Sequence, residues 1–196
     1  KRIKNSDAVQ TQVTQLISSF KPDQPSASVP ALVQLYGSLG KLDTTNNYVK
    51  IKRQEVQTLI QQCLGLWIET NPTDFAATPG ETVKVSTNVV SREDFPVKLV
   101  SIHYSTGKDT TLNLALKPNE VVQYPTSLAI PKTQKISQPY WLEKPIDKGL
   151  FQVDNQQLIG LPENPAAVAA SYTVEINGQR FIYTRPVVYK STDPVD

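Results

Sequence analysis

The spacing of apolar residues changes once along this chain, near Asn71-Pro72, and that change limits what it can fold into. Before that point apolar residues recur every three or four positions, which lines one face of a helix. After it they alternate, which lines one face of a strand. Proline follows the same division. Pro22, Pro25 and Pro30 are the only prolines in 1–70, leaving 12 of the 15 for 71–196, where a residue that removes a backbone donor belongs in turns and at strand ends.

In the first part Val9, Val13, Leu16, Ile17 and Phe20 share a helical face, with Ser6 placed as N-cap and Lys21-Pro22 as stop. A second helix is predicted from Ser28, with Pro30 in its first turn and Leu32, Leu35, Tyr36, Leu39 and Leu42 on one stripe. The third is predicted from Tyr48 to Thr70, with Val49, Val56, Leu59, Ile60, Cys63, Leu64 and Trp67 inward and Lys50, Lys52, Arg53, Glu55, Gln57 and Gln61 in water. Trp67, at the end of that stripe, is expected to wedge between the helices and whatever follows. Each helix alone leaves its stripe exposed, so the three need a partner layer.

After Pro72, Val83, Val85, Thr87 and Val89 alternate with Lys84, Ser86, Asn88 and Val90, behind the turn Thr78-Pro79-Gly80. Strands follow at Val97 to Tyr104, Thr111 to Leu116, Val121 to Leu128, Ala169 to Ile176 and Arg180 to Tyr189. The last two flank Asn177-Gly178, a pair suited to a type I′ hairpin because both central residues need positive φ. Residues 131–168 carry five prolines and read as irregular, with room for at most two short strands. Short strands at this rhythm make an antiparallel sandwich. The expected fold is α+β: an N-terminal three-helix segment over 1–71 packed on a C-terminal immunoglobulin-like β-sandwich over 72–196.

Composition narrows the function. The 196 residues are 39% hydrophobic, enough for a core, and the net charge is 20 − 18 = +2 with no run of four like charges. Nothing marks a face for nucleic acid. No stretch nears 18 consecutive apolar residues, so no membrane insertion is expected. With no initiator Met, Lys1 reads as a processed or engineered start, which allows the sequence to be part of a longer chain.

One Cys and one His leave little catalytic chemistry. His103 falls in a predicted strand, where it is a base, a metal ligand or simply a strand side chain. There is no G-x-S-x-G elbow and no glycine-rich phosphate loop, and Cys63 sits among helix-core residues. Asp147, Asp154 and Asn155 are too sparse an oxygen set for calcium. Aromatic residues are the better lead. Tyr140-Trp141 lies in the irregular stretch, where such a pair stacks on a sugar ring or anchors a partner. In the plainer reading Trp141 caps the sandwich core.

Several strings in order, Cys63-Leu64-Gly65-Leu66-Trp67-Ile68-Glu69, Thr78-Pro79-Gly80-Glu81-Thr82-Val83-Lys84-Val85, Ser137-Gln138-Pro139-Tyr140-Trp141-Leu142 and Thr192-Asp193-Pro194-Val195, resemble the region downstream of the catalytic domain in PIG-L/LmbE-like deacetylases of Bacteroidetes-type bacteria. The segment around Pro79-Gly80-Glu81 also resembles immunoglobulin-like modules that accompany glycan-active enzymes. The resemblance implies an exported parent hydrolase, periplasmic or extracellular, that removes acetyl groups from N-acetylated sugars with zinc held by an Ala-His-Pro-Asp-Asp type motif. This sequence lacks that motif, so no catalytic or zinc-binding residue carries over. The resemblance therefore implies a fragment that needs no cofactor and is not itself an enzyme, with zinc confined to the catalytic domain. Its partners would be other domains of the parent chain and, through Tyr140-Trp141, possible glycan.

Overall fold

The computed structural model describes residues 3, 4 and 6–191, so the string Thr192-Asp193-Pro194-Val195 lies outside the described residues. Three helices come first: α1 (Asp7–Ser19), α2 (Val29–Gly40) and α3 (Asn47–Cys63). Seven strands follow: β1 (Trp67–Pro72), β2 (Thr82–Val90), β3 (Val97–Tyr104), β4 (Asp109–Leu116), β5 (Val122–Ala129), β6 (Ala169–Ile176) and β7 (Gln179–Pro186). The α+β sandwich expected from the sequence is the observed fold. Asn177 and Gly178 both take positive φ, 49° and 74°, at the β6–β7 turn. In the 131–168 excursion the described structure holds two single-turn 3-10 helices, Tyr140–Leu142 and Gln156–Leu158, and no strand.

The two sheets run β1-β2-β5 and β4-β3-β6-β7, and every paired strand is antiparallel. Inward side chains alternate as the sequence pattern requires. Ile68, Val85, Val89 and Leu128 from the three-stranded sheet share a buried cluster with Leu99, Ile102, Val174, Ile176 and Phe181 from the four-stranded one. Within it Thr70 Oγ1 hydrogen-bonds Thr87 Oγ1 at 2.6 Å and the Tyr172 hydroxyl at 2.5 Å, and Thr87 Oγ1 reaches the Tyr104 hydroxyl at 3.0 Å. This closed polar chain satisfies four buried hydroxyls and ties one sheet to the other, which makes their burial tolerable. Burial pushes the Tyr104 hydroxyl up, and the Tyr172 hydroxyl up to about 12.

The third helix ends earlier than its apolar spacing predicts. Gly65, at φ +53°, takes the left-handed position after the last turn; its N–H donates to Gln62 O at 3.0 Å and the Leu66 N–H to Gln61 O at 3.0 Å, the paired bonds of a Schellman stop. From Trp67 the chain is β1, paired with β2 in the register Trp67↔Val90 through Pro72↔Val85. The helical segment therefore stops at Cys63, not 71, and the expected helix-borne Trp67 is a strand residue, 55% exposed. It packs no helix against the sandwich. Ile60 and Leu64, both 0% exposed, fill that place.

Ser6 and Ser28 precede α1 and α2 as predicted, without capping through their side chains. Asn46 caps α3, its Oδ1 accepting the Tyr48 N–H at 2.9 Å.

Candidate functional site

Two regions could do something beyond folding, the junction of helices and sandwich and the solvent-facing aromatic residues. The junction forms because the three-stranded sheet leaves the edge of β7 with little strand partner. β1 meets the chain just past β7, where Thr70 bridges Val187, and α3 bonds to Ile182, Tyr183 and Arg185 of β7 itself. Gln57 Nε2 donates to Ile182 O at 2.7 Å, Arg185 Nη2 donates to Gln61 Oε1 at 2.7 Å, and the Tyr183 hydroxyl donates to Gln57 O at 3.4 Å. From α2, Tyr36 sets its ring 4.9 Å from that of Phe181 at 56°. The Arg53 guanidinium lies over the other partner of this pair, 4.3 Å from the Tyr36 centroid.

The C-terminal end of α3 is fastened through its backbone as well. Leu64 O accepts the N–H groups of Arg92 and Glu93 at 3.1 and 3.3 Å, and Ser26 Oγ donates to Glu93 Oε2 at 2.8 Å. Helical and sandwich residues belong to one buried cluster, running from Val29, Leu35 and Val56 through Ile60 and Leu64 to Phe181 and Tyr183. Burial raises the Tyr183 hydroxyl against the nearby Arg185 charge. Sequence periodicity found the stripes but not this pairing; the usable signal was the alternation Phe181, Tyr183, Arg185 beside a polar helix face containing Gln57 and Gln61.

Tyr140 and Trp141 are adjacent but unequal. Tyr140 is only 9% exposed and anchors the excursion: its N–H donates to Asn164 Oδ1 at 2.9 Å and its hydroxyl donates to Leu161 O at 3.4 Å, while Asn164 Nδ2 donates to Gln138 O at 2.6 Å. Trp141 stands edge-on to it, ring centroids 4.8 Å apart at 90°, and is half-buried. Neither ring belongs to the sandwich core, so only Trp141 offers a ligand any surface.

His103 Nδ1 and Asp109 Oδ1 pair at 2.7 Å across β3 and β4, both at the surface. No serine or cysteine among the described residues bonds to either. Cys63 lines an apolar groove with Leu16, Leu32 and Leu59, and burial, then the charge of Glu93, pushes its thiol up, away from the reactive thiolate. The zinc implied by the resemblance does not fit these residues: among the described ones no three of His, Cys, Asp or Glu gather as a metal site. No helix among the described residues is long and apolar enough to cross a membrane.

No family profile matches the sequence, and no curated protein matches it. Among solved structures it is similar to the sporulation control protein Spo0M of Bacillus subtilis, at 13% identity and TM-score 0.33 over 65% of this chain. It is also similar to the alkylpurine DNA glycosylase AlkC of Pseudomonas fluorescens bound to abasic-site DNA, at 14% identity and TM-score 0.29 over 84% of this chain. The chain spans about half the length of each, 50% and 47%. At these scores neither neighbour bears on what the chain does.

Proposed function

We propose that this chain is a non-catalytic, architectural portion of a larger exported hydrolase, a PIG-L/LmbE-like zinc-dependent N-acetylsugar deacetylase. In this reading the helices and sandwich form one stiff block that holds the catalytic domain in a fixed orientation, in the periplasm or outside the cell. Zinc belongs to the catalytic domain and not to this chain. The order of the sequence strings supports the family. The role rests on one observation, the buried cluster that runs without a break from α2 and α3 into the sandwich. A flexible tether has no use for such a junction, because relative domain motion is the default unless the interface is large and apolar.

Ile17, Phe20 and Leu59 leave apolar surface on the helical layer, which a neighbouring domain of the parent would cover. Limited proteolysis combined with solution scattering tests the role. A single compact particle, resistant through 6–70 as well as 71–191, supports it; early cleavage between α3 and β1 with an extended scattering envelope removes it. A second reading, a carbohydrate-binding module, keeps its place because Trp141 retains partial exposure.

A further inference from the structure

We propose that the solvent face of the β1-β2-β5 sheet is a binding platform for an uncharged polysaccharide chain, with the Trp67 indole as its stacking surface. The register places the outward residues in rows. Trp67 stands beside Val90; Glu69, Asn88 and Gln123 form the next row across three strands; Asn71, Ser86 and Pro125 form the one after. Rows on one face of a sheet lie about 7 Å apart and neighbouring strands about 5 Å. An exposed indole is thus followed at close range by a flat field of amide and hydroxyl groups.

Three features select the ligand. The indole is 55% exposed and aromatic rings match the apolar faces of pyranoses; Lys190 Nζ lies over one part of the ring, 5.5 Å from its centroid, on a long side chain that a stacking sugar must displace or share. The side chains of Ser86, Asn88 and Gln123 make no hydrogen bond to any other described residue, and Asn88 Oδ1 is a buried acceptor without a donor. Amides and hydroxyls both donate and accept, as sugar hydroxyls do, and a turn of the Asn88 amide toward such a hydroxyl gives the orphan oxygen its missing donor. Charge completes the choice. The one carboxylate of these rows, Glu69, is held by Lys190, so the three rows carry no net charge, and Lys84, paired with Ser127 in the row beyond, is the remaining cation of the face.

This platform does not depend on the parent enzyme's identity and is separate from the Tyr140-Trp141 loop. The test is native electrophoresis of the full chain in gels cast with mixed-linkage β-glucan, xylan or galactomannan, with polygalacturonate as the acidic control. Trp67→Ala, Gln123→Ala and Trp141→Ala are run beside the unmodified chain, each checked by circular dichroism. Retardation by at least one neutral polymer is expected, weakened about tenfold or more by Trp67→Ala, about three- to tenfold by Gln123→Ala, and unchanged by Trp141→Ala. Absence of retardation by every neutral polymer overturns the proposal. So does retardation that survives Trp67→Ala in a folded variant, that is lost only with Trp141→Ala, or that appears only with polygalacturonate. None of these results touches the scaffold reading, which scattering decides.

Discussion

Ile60→Ala tests whether the helices and the sandwich are one cooperative body. Ile60 is 0% exposed on α3 and sits in the cluster that contains Phe181 and Tyr183 of β7. Truncating a fully buried isoleucine removes its transfer free energy and leaves a cavity, for a loss of about 2–5 kcal/mol. Held along its C-terminal half by the bonds at Gln57 and Gln61 and by the Leu64 carbonyl, α3 has little freedom to close that cavity, so the middle of the range, about 3 kcal/mol, is expected. With a urea slope of about 2–3 kcal/mol/M for a chain this long, the midpoint falls by about 1–1.5 M.

Position supplies two independent reporters. Trp67 stands on β1 and Trp141 in the excursion outside the sandwich core, so Trp67 fluorescence, read in a Trp141→Phe background, reports the sandwich, while far-ultraviolet ellipticity is dominated by the helices. One body requires both transitions to coincide and to move down together when Ile60 is truncated. If ellipticity shifts while fluorescence keeps its original midpoint, the helices are a separate unit and the architectural reasoning fails.

Other substitutions probe single features. Tyr172→Phe removes one hydroxyl from the Thr70–Thr87–Tyr104–Tyr172 chain and should lower thermal stability by about 1–3 kcal/mol; no loss would mean that the inter-sheet hydrogen bonds contribute nothing net. The same hydroxyl gives an alkaline dependence. Held up to about 12 chiefly by burial, against about 10 when unfolded, it contributes stability that is complete below pH about 10 and is lost as pH rises through about 12. Unfolding measured from pH about 9 to 11.5 should show a shallower decline in Tyr172→Phe than in the unmodified chain. Gly65→Ala forces a side chain into left-handed φ, with its Cβ 2.8 Å from Arg92 Cβ, and should destabilise by at least about 1–2 kcal/mol; an unchanged melting temperature would refute the stop at the end of α3. Asn164→Ala frees the Tyr140 N–H and Gln138 O, so proteolysis within 132–165 should accelerate while the melting temperature moves little.

Legibility in the sequence depended on how far each feature reaches along the chain. Six of the seven strands were readable from alternation because inward and outward neighbours differ in polarity, as in Val85-Ser86-Thr87-Asn88-Val89. β1 was not. Leu64, Leu66 and Ile68 alternate while Ile60, Leu64 and Trp67 keep helical spacing, so both periods fit residues 64–68 and the longer helical pattern absorbed the shorter one. Gly65 was the signal that separates them, because a glycine just past the last periodic residue marks a helix stop. Misplacing β1 also hid the surface it carries. Trp67 becomes a surface residue only once it stands on a strand, and the row Glu69, Asn88, Gln123 exists only after three strands, one of them more than thirty residues beyond the other two, pair in register. The junction was hidden for the same reason. Gln57 and Ile182 are 125 positions apart, and no local pattern joins them.

Native-state hydrogen exchange on the α3 and β6–β7 amides tests the one-block account most directly. If α2 and α3 share the sandwich core, the amides around Val56 and Ile60 exchange only through global unfolding, with the same opening free energy as those of Tyr172 and Val174. Opening of the helices at a clearly lower free energy, while the strands stay protected, would contradict it.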